Sequence, residues 1–237
     1  MKKPNYISPG KFSTTFFDEI LRSKEFDDIY FSSENGQKES DHVFLSGNHL
    51  KERMPNSKNF IIGELGFGTG LNFLLTWKLF KELKIKDGYL DYISIEGYPL
   101  KNNQLNKVHE KHPNLQKFWV ELQDALPPLW SGIHRLNLNH GKVRLTLIYS
   151  DVLEALKNSI FKADAWFLDG FSPAKNPAMW TPVLFNEMRR LSGKGTSYAT
   201  FTSASMVQKG LRDNGFKIKK QPGFGKKREI LSGVYCP

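Results

Sequence analysis

Cysteine is almost absent from the 237-residue chain: Cys236 stands alone, one residue from the end. No disulfide can form within the chain, and that cysteine and the six histidines offer no paired ligand spacing, so neither a disulfide framework nor a metal site is expected. Long apolar runs are missing too. Nothing approaches the roughly 20 consecutive apolar residues that cross a bilayer. Met1-Lys2-Lys3 begins like a signal peptide, but Pro4 to Gly10 never becomes an apolar segment. The expectation is a cytoplasmic protein with no membrane partner. Acidic residues are comparatively scarce, 24 Asp and Glu against 34 Lys and Arg, for a net charge of +10 with His neutral. That excess attracts polyanions, but by itself it leaves nucleic-acid binding open.

What is present is a chain long enough for one large domain, with 39% hydrophobic residues to build its core. Its organising stretch is Phe60 to Trp77, FIIGELGFGTGLNFLLTW. A short apolar run suits a buried strand, and Leu71, Leu74, Leu75 and Leu79 recur at helical spacing after it. Between them lie Glu64 and Gly66, Gly68 and Gly70. Glycines at a strand-to-helix turn let backbone approach a ligand closely, beside the free amides of the helix start. The spacing is neither GxGxxG nor GxxxxGK[ST]. An acid before the glycines and another about 30 residues on suit a ligand with cationic and ribose groups better than a pyrophosphate. That second acid, Glu96, closes the strand-like Tyr89 to Ile95, at the carboxyl end where open α/β sheets bind ligands. Its two oxygens can accept two ribose hydroxyls.

Residues 1–58 read as an irregular arm ahead of a core spanning 59–237. The arm is expected to hold short strands at Phe26 to Phe31 and at Val43-Phe44-Leu45, and to sit near the crevice, with Asn48, His49 and Arg53 as polar candidates. Beyond Glu96 the pattern predicts a helix from Pro99 to about Lys111, two short helices or turns within Asn114 to Trp130, and a hairpin near 133–148 turning at Asn139-His140-Gly141. Ser150 and Asp151 end that second strand, and Asp151 either accepts from an adenine amine or caps a helix reaching Ile160. Ala163 to Leu168 is a fourth strand delivering Asp169 to the ligand edge, followed by a Pro-stiffened loop to Trp180. Thr181 and Pro182 open the next helix. Asp169 either faces the ligand or bonds only its own loop.

A fifth strand is expected from Gly195 to Thr202, a helix from Ser203 to Asp213 with Met206, Val207, Gly210 and Leu211 on one face, and a closing hairpin from Phe216 onward. Between Lys209 and Ile230, eight Lys or Arg stand against Asp213 and Glu229, interleaved with Phe216 and Phe224. Such a stretch is either a solvated face or a surface for a phosphate backbone.

The segments ELGFGTGLNFL from Glu64, DAWFLDGFSPAKNPAMW from Asp164, ATFTSASMVQKGL from Ala199 and GFGKKREILSG from Gly223 resemble the methyltransferase domain of the bifunctional tRNA 5-methylaminomethyl-2-thiouridine biosynthesis family. FDDIYFSSENG from Phe26 and VFLSGNHL from Val43 resemble its amino-terminal arm. The resemblance implies a Rossmann-like, doubly wound mixed sheet of the class I S-adenosylmethionine-dependent type. It also implies methyl transfer to the primary amine of 5-aminomethyl(-2-thio)uridine at the wobble position, in the anticodon stem-loop of tRNA.

On that resemblance Glu64, Gly66, Phe67, Gly68 and Gly70 wrap the methionine part, Glu96 holds the ribose and Asp151 lies near the adenine. Asn72 and Ser150 count with the cofactor residues, Ser150 standing where a glycine is common. Asp169 is the residue beside the accepting amine. Phe171, Ser172 and Pro173 are expected to shape the substrate pocket with Lys175, Trp180 and Phe224 are the candidates for stacking a base, and the basic run offers Lys226, Lys227 and Arg228 as candidates for phosphate contact. As the chain ends at Pro237, no FAD-dependent module is expected, and other enzymes would supply the aminomethyl group. A non-catalytic RNA-binding shell, or a methyltransferase for a non-RNA amine, is the alternative.

Overall fold

The computed structural model describes residues 14–17, 20–23, 25–30, 36–225 and 228–237. Strands β1 (Thr14–Phe17), β2 (Ile20–Ser23) and β3 (Asp28–Ile29) pair antiparallel into a small sheet. Helix α1 (Gly36–Ser40) then runs into a π-helical turn, Asp41–Ser46, followed by α2 (Leu50–Arg53). The arm is thus more regular than expected. Val43-Phe44-Leu45 is helical rather than extended; all three are buried, and Phe44 stacks on Phe167 with ring centroids 5.3 Å apart. A short apolar run carries no period that separates strand from helix, and packing decides it. Of Phe26 to Phe31, only Asp28–Ile29 is strand, and Phe31 lies outside the described residues.

The core contains β4 (Asn59–Leu65), α3 (Leu71–Glu82), β5 (Tyr89–Glu96), α4 (Asn102–His109), α5 (Gln116–Ala125), β6 (Gly132–Leu138), β7 (Val143–Tyr149) and α6 (Val152–Lys157). It continues with β8 (Ala163–Leu168), α7 (Pro182–Arg190), β9 (Ser192–Thr200), α8 (Ser205–Asp213), β10 (Phe216–Pro222) and β11 (Glu229–Tyr235). Among the described residues these strands form one sheet in the order β10-β11-β9-β8-β4-β5-β7-β6. The five from β9 to β7 are parallel; β6, β10 and β11 join through antiparallel pairs. The expected mixed, doubly wound sheet is therefore present.

Alternation along β8 shows how the two faces are covered. Ala165 and Phe167 join the apolar cluster under α3 and α5, whereas Trp166 and Leu168 join the one under α6, α7 and α8. Trp166 lies flat against Gly63, where a Cβ would come 2.4 Å from its ring. Truncating so large a buried side chain costs about 3–5 kcal/mol. Thr181 caps α7 by accepting from the Leu184 amide, with Pro182 opening the helix as expected. Two expectations fail at helix edges. α6 stops at Lys157, leaving Ile160 97% exposed, and Met206 lies off the apolar face of α8 while Val207 and Leu211 are buried.

From β4 the chain moves outward through β5 and β7, then crosses back to β8 and β9 on the other side. The direction of winding reverses between β4 and β8, so a crevice opens beyond their carboxyl ends. Asn48 and Arg53 do not reach it. Asn48 is fully buried, donating to the Phe44 and Trp166 carbonyls and accepting from Ser197 Oγ; Arg53 donates to Ser197 and to the Asp164 and Gly195 carbonyls. Both fasten the arm to β8 and β9.

Candidate active site

Two strand ends are stitched together at the crevice. The Gly66 amide donates to the Ile95 carbonyl at 2.9 Å, and the Asp169 amide donates to the Leu65 carbonyl at 3.2 Å. Gly66 has φ +94°, and a Cβ there would meet the Asp169 carbonyl oxygen at 2.7 Å, so only glycine lets the two ends lie this close. Gly70, at φ +75°, precedes the first turn of α3, and the Phe67 ring lies where its side chain would be. From behind, the buried His109 fixes the loop. Burial pushes its pKa down to about 4, and the neutral ring donates from Nε2 to the Thr69 carbonyl at 2.7 Å while stacking on Trp119.

Glu96 closes β5 opposite the glycines. Its Oε2 accepts from the Gly68 amide at 2.8 Å and its Oε1 from the Tyr98 amide at 2.7 Å, while burial raises its pKa. Carboxylate oxygens retain lone pairs after such bonds, so two further hydroxyls can be accepted from the cavity side. Of the two roles left open for Asp151, the helix cap is present. Its Oδ1 caps α6 by accepting from the Leu153 and Glu154 amides, and the residue also lines the cavity.

The cavity so formed has a volume of about 590 Å³. Asp28, Glu39, Glu96, Asp151 and Asp169 line it, and no Lys or Arg does among the described residues. In a chain of net charge +10 this concentration of carboxylates selects a ligand with positive charge and disfavours a polyphosphate.

Gly66, Phe67, Gly68, Asn72, Glu96, Asp151, Asp169, Phe171 and Ser172 come together on this lining. Glu64 does not reach it; it is 1% exposed behind Asn72, accepting from Asn72 Nδ2 and Ser94 Oγ. Gly70, Ser150, Pro173 and Lys175 are also off the lining. Ser150 contributes a backbone amide to the Glu96 carbonyl at 3.2 Å. Trp180, expected to offer a stacking face, is 1% exposed and donates Nε1–H to the Phe171 carbonyl. It is a core wedge whose one polar atom holds the loop, which removes it as a platform for a base.

The loop after Asp169 is occupied by the arm. Phe171 stacks on Phe26 at 4.6 Å and meets Tyr30 edge-on at 5.3 Å; the Ser172 amide donates to Asp28; Lys175 pairs with Asp27 at 2.9 Å. These residues hold the arm over the cavity. Sequence reasoning missed the arm's own lining residues, Asp28, Tyr30, Glu39 and Ser40, and also Tyr98 and Phe201. Tyr98 had a signal, being two residues past Glu96; Phe201 had none beyond its position at the end of β9. Phe224 is half-buried near His42, whose Nε2 lies 2.9 Å from the Pro222 carbonyl. Arg228 is exposed, and Lys226 and Lys227 lie outside the described residues.

A doubly wound sheet with a glycine turn and a cavity at its switch point is the architecture in which α/β proteins bind a ligand, and the acids lining this one suit a ligand with positive charge. The family described as S-adenosyl-L-methionine-dependent methyltransferase matches residues 113–236, and the chain belongs to it. It is 45% identical over 217 residues to the tRNA 5-methylaminomethyl-2-thiouridine biosynthesis bifunctional protein MnmC of Pseudomonas savastanoi pv. phaseolicola (strain 1448A / Race 6), covering 90% of this chain and 33% of that protein. With the protein of the same name from Hahella chejuensis (strain KCTC 2396) the identity is 44% over 216 residues, 90% of this chain and 34% of that one. The chain thus spans about a third of the length of these curated relatives. The crystal structure of MNMC2 from Aquifex aeolicus shares the fold, with a TM-score of 0.73 at 23% identity over 94% of this chain and 70% of that one.

Proposed function

We propose that this chain transfers methyl from S-adenosylmethionine to the primary amine of 5-aminomethyl(-2-thio)uridine at the wobble position of tRNA. The observation that carries the reading is the acid-lined cavity at the switch point of a basic protein, joined to the kinship with proteins named for tRNA 5-methylaminomethyl-2-thiouridine biosynthesis. The residues fit the cofactor. Glu96 would hold the ribose hydroxyls, Asp151 and Tyr98 would border the base, and the glycine turn would leave room for the methionine chain. When bound, the cofactor supplies a methyl group already activated on a sulfonium.

What remains for the protein is alignment. Asp169 accepts one N–H of the acceptor amine and aims its lone pair into the cavity, and it can pass on the proton that the product ammonium must lose. The loop from Gly170 to Met179 and the ring of Phe201 shape the wall around that amine. A base in an anticodon loop is unpaired, so turning it into the cavity costs little stacking energy. Separate enzymes furnish the aminomethyl group. The decisive experiment is transfer of labelled methyl to tRNA from cells lacking this gene, followed by nucleoside analysis. Label in 5-methylaminomethyl(-2-thio)uridine supports the reading; label only in a free or protein amine, or none at all, overturns it.

Replacing Glu96 by Ala should weaken S-adenosylmethionine binding by about 1–3 kcal/mol, the worth of a charge-assisted contact. Calorimetry reads this directly, and an unchanged affinity in a folded variant would take Glu96 off the ribose.

Strand register supports a tRNA surface at the sheet edge that carries Asp169. Thr200 pairs with Leu231 and Leu231 with Lys220, while Thr200 also pairs with Leu168, the residue before Asp169. The end of β10 at Pro222 and the start of β11 at Glu229 therefore lie at the same sheet edge as Asp169. Changing Lys226, Lys227 and Arg228 to neutral residues should weaken tRNA binding and flatten its salt dependence by roughly 0.7 in log–log slope per lost contact. Cofactor affinity should hold. A normally melting variant with the parent's affinity and slope would move the platform elsewhere.

A further inference from the structure

Glu64 lies behind the cavity wall, yet it is joined to Asp169 by a single side chain. Asn72 Nδ2 donates to Glu64 Oε1 at 3.1 Å and to Asp169 Oδ2 at 2.7 Å. Asn72 Oδ1 accepts the Ser40 hydroxyl, and Ser94 Oγ donates to Glu64 Oε2 at 2.7 Å. One amide thus commits an N–H to each of two carboxyl groups, and a hydroxyl from α1 stops it from flipping.

No ion pair among the described residues includes Glu64. The titratable groups that face it are Asp169 across Asn72 and Tyr92 on β5, whose hydroxyl lies beside it without a hydrogen bond of normal geometry among the described residues. Glu39 of α1 lines the cavity in front, while Lys38 of α1 and Lys81 of α3 are exposed. Two negative charges bridged by one amide, one of them sealed from water and without a cation, are costly; one proton resolves the conflict.

Resting on the methyl-transfer reading above, we infer that Glu64 is a positioning residue that works as a neutral carboxylic acid, holding Asn72 and through it the Asp169 carboxylate toward the acceptor amine. Burial, with Asp169 adding to it, pushes the Glu64 carboxyl up to about 8. The proton leaves the bridged pair one negative charge. A second charge would hold the acceptor as its ammonium, which has no lone pair with which to attack.

The test compares the native chain with Glu64→Ala and Glu64→Gln. Glu64→Ala should lower turnover at saturation on the order of 10- to 100-fold with little change in KM for tRNA, and Glu64→Gln should recover most of that loss. Native turnover should fall above about pH 8 as Glu64 ionises, and the Gln variant should lack this alkaline limb. An equilibrium readout stands apart from activity. The folded state raises the Glu64 pKa, so the associated stability is complete below about 4.5 and is lost as pH rises through about 8. The Tm of Glu64→Gln relative to native should therefore climb by at least about 3 °C between pH 5 and 8 and then level off.

A Tm difference that stays flat, a Gln variant as slow as Ala, or a Gln variant that keeps the alkaline limb would each overturn the inference. If Glu64→Ala does not fold, the alkaline limb and the Tm difference of the Gln variant decide. A native protein that methylates no tRNA while the Tm difference follows this course would overturn the substrate reading and leave the protonated Glu64 standing.

Discussion

Asp169→Ala is expected to lower methyl-transfer turnover by roughly 10²- to 10⁴-fold, the usual worth of a positioned proton acceptor. The affinity for tRNA should change far less, because phosphate contacts carry most of the binding. The asymmetry follows from the place of this carboxylate. It stands at the end of β8, half-buried on the cavity wall, with its backbone amide on the Leu65 carbonyl and Oδ2 held by Asn72. Truncation leaves those strands paired, and it leaves the basic turn between β10 and β11 untouched. On the proposed reading it removes the group that orders the amine. Single-turnover transfer at saturating tRNA and cofactor measures the loss, and a filter-binding titration of the same variant measures affinity. Equal losses in both, with no separate rate defect at saturation, would contradict the assignment.

The parts of this site that could be read from the chain are those fixed by local sequence. A buried strand, a glycine turn and a helix announce themselves by apolar runs and by spacing, so β4, α3 and the acids closing β5 and β8 lie where the pattern predicts. The arm was misread because tertiary packing sets its conformation. Val43-Phe44-Leu45 has the composition of a strand, and burial against Phe167 and its neighbours makes it a helical turn. The same physics hid the lid. Nothing in the order of residues announces that Phe26 stacks on Phe171 or that Asp27 and Asp28 hold Lys175 and Ser172, contacts that join segments some 145 positions apart. Glu64 shows the remaining limit. Its place before the glycines marks it as part of the site, but its exclusion from the cavity and its link through Asn72 exist only in three dimensions.

The cavity's charge could not be counted from the chain either. Of the five carboxylates that line it among the described residues, Glu96 closes a strand and Asp151 and Asp169 follow strands, whereas Asp28 and Glu39 come from the arm and meet them only on folding. No Lys or Arg among the described residues lines the cavity, so on the proposed reading a polyanion and a cationic cofactor would meet separate surfaces.

Gly66→Ala should lower stability by about 2–4 kcal/mol, or roughly 5–15 °C in Tm, and abolish measurable cofactor binding. Two costs combine there. The backbone has φ +94°, a left-handed conformation that costs a residue with a Cβ about 1–2 kcal/mol. The new methyl would also lie 2.7 Å from the Asp169 carbonyl oxygen and 3.3 Å from its carbon. Those are backbone atoms and cannot rotate aside, so relief requires β4 and β8 to part at the point where the crevice is built. The comparison that isolates the second cost is Gly141→Ala, in the β6–β7 turn at φ +80° with nothing within 4 Å of the added Cβ. That variant should lose only the conformational part, melt slightly early and bind S-adenosylmethionine as the native protein does. If Gly66→Ala instead melted with Gly141→Ala and bound the cofactor normally, the close approach of the two strand ends would not be what holds the site together.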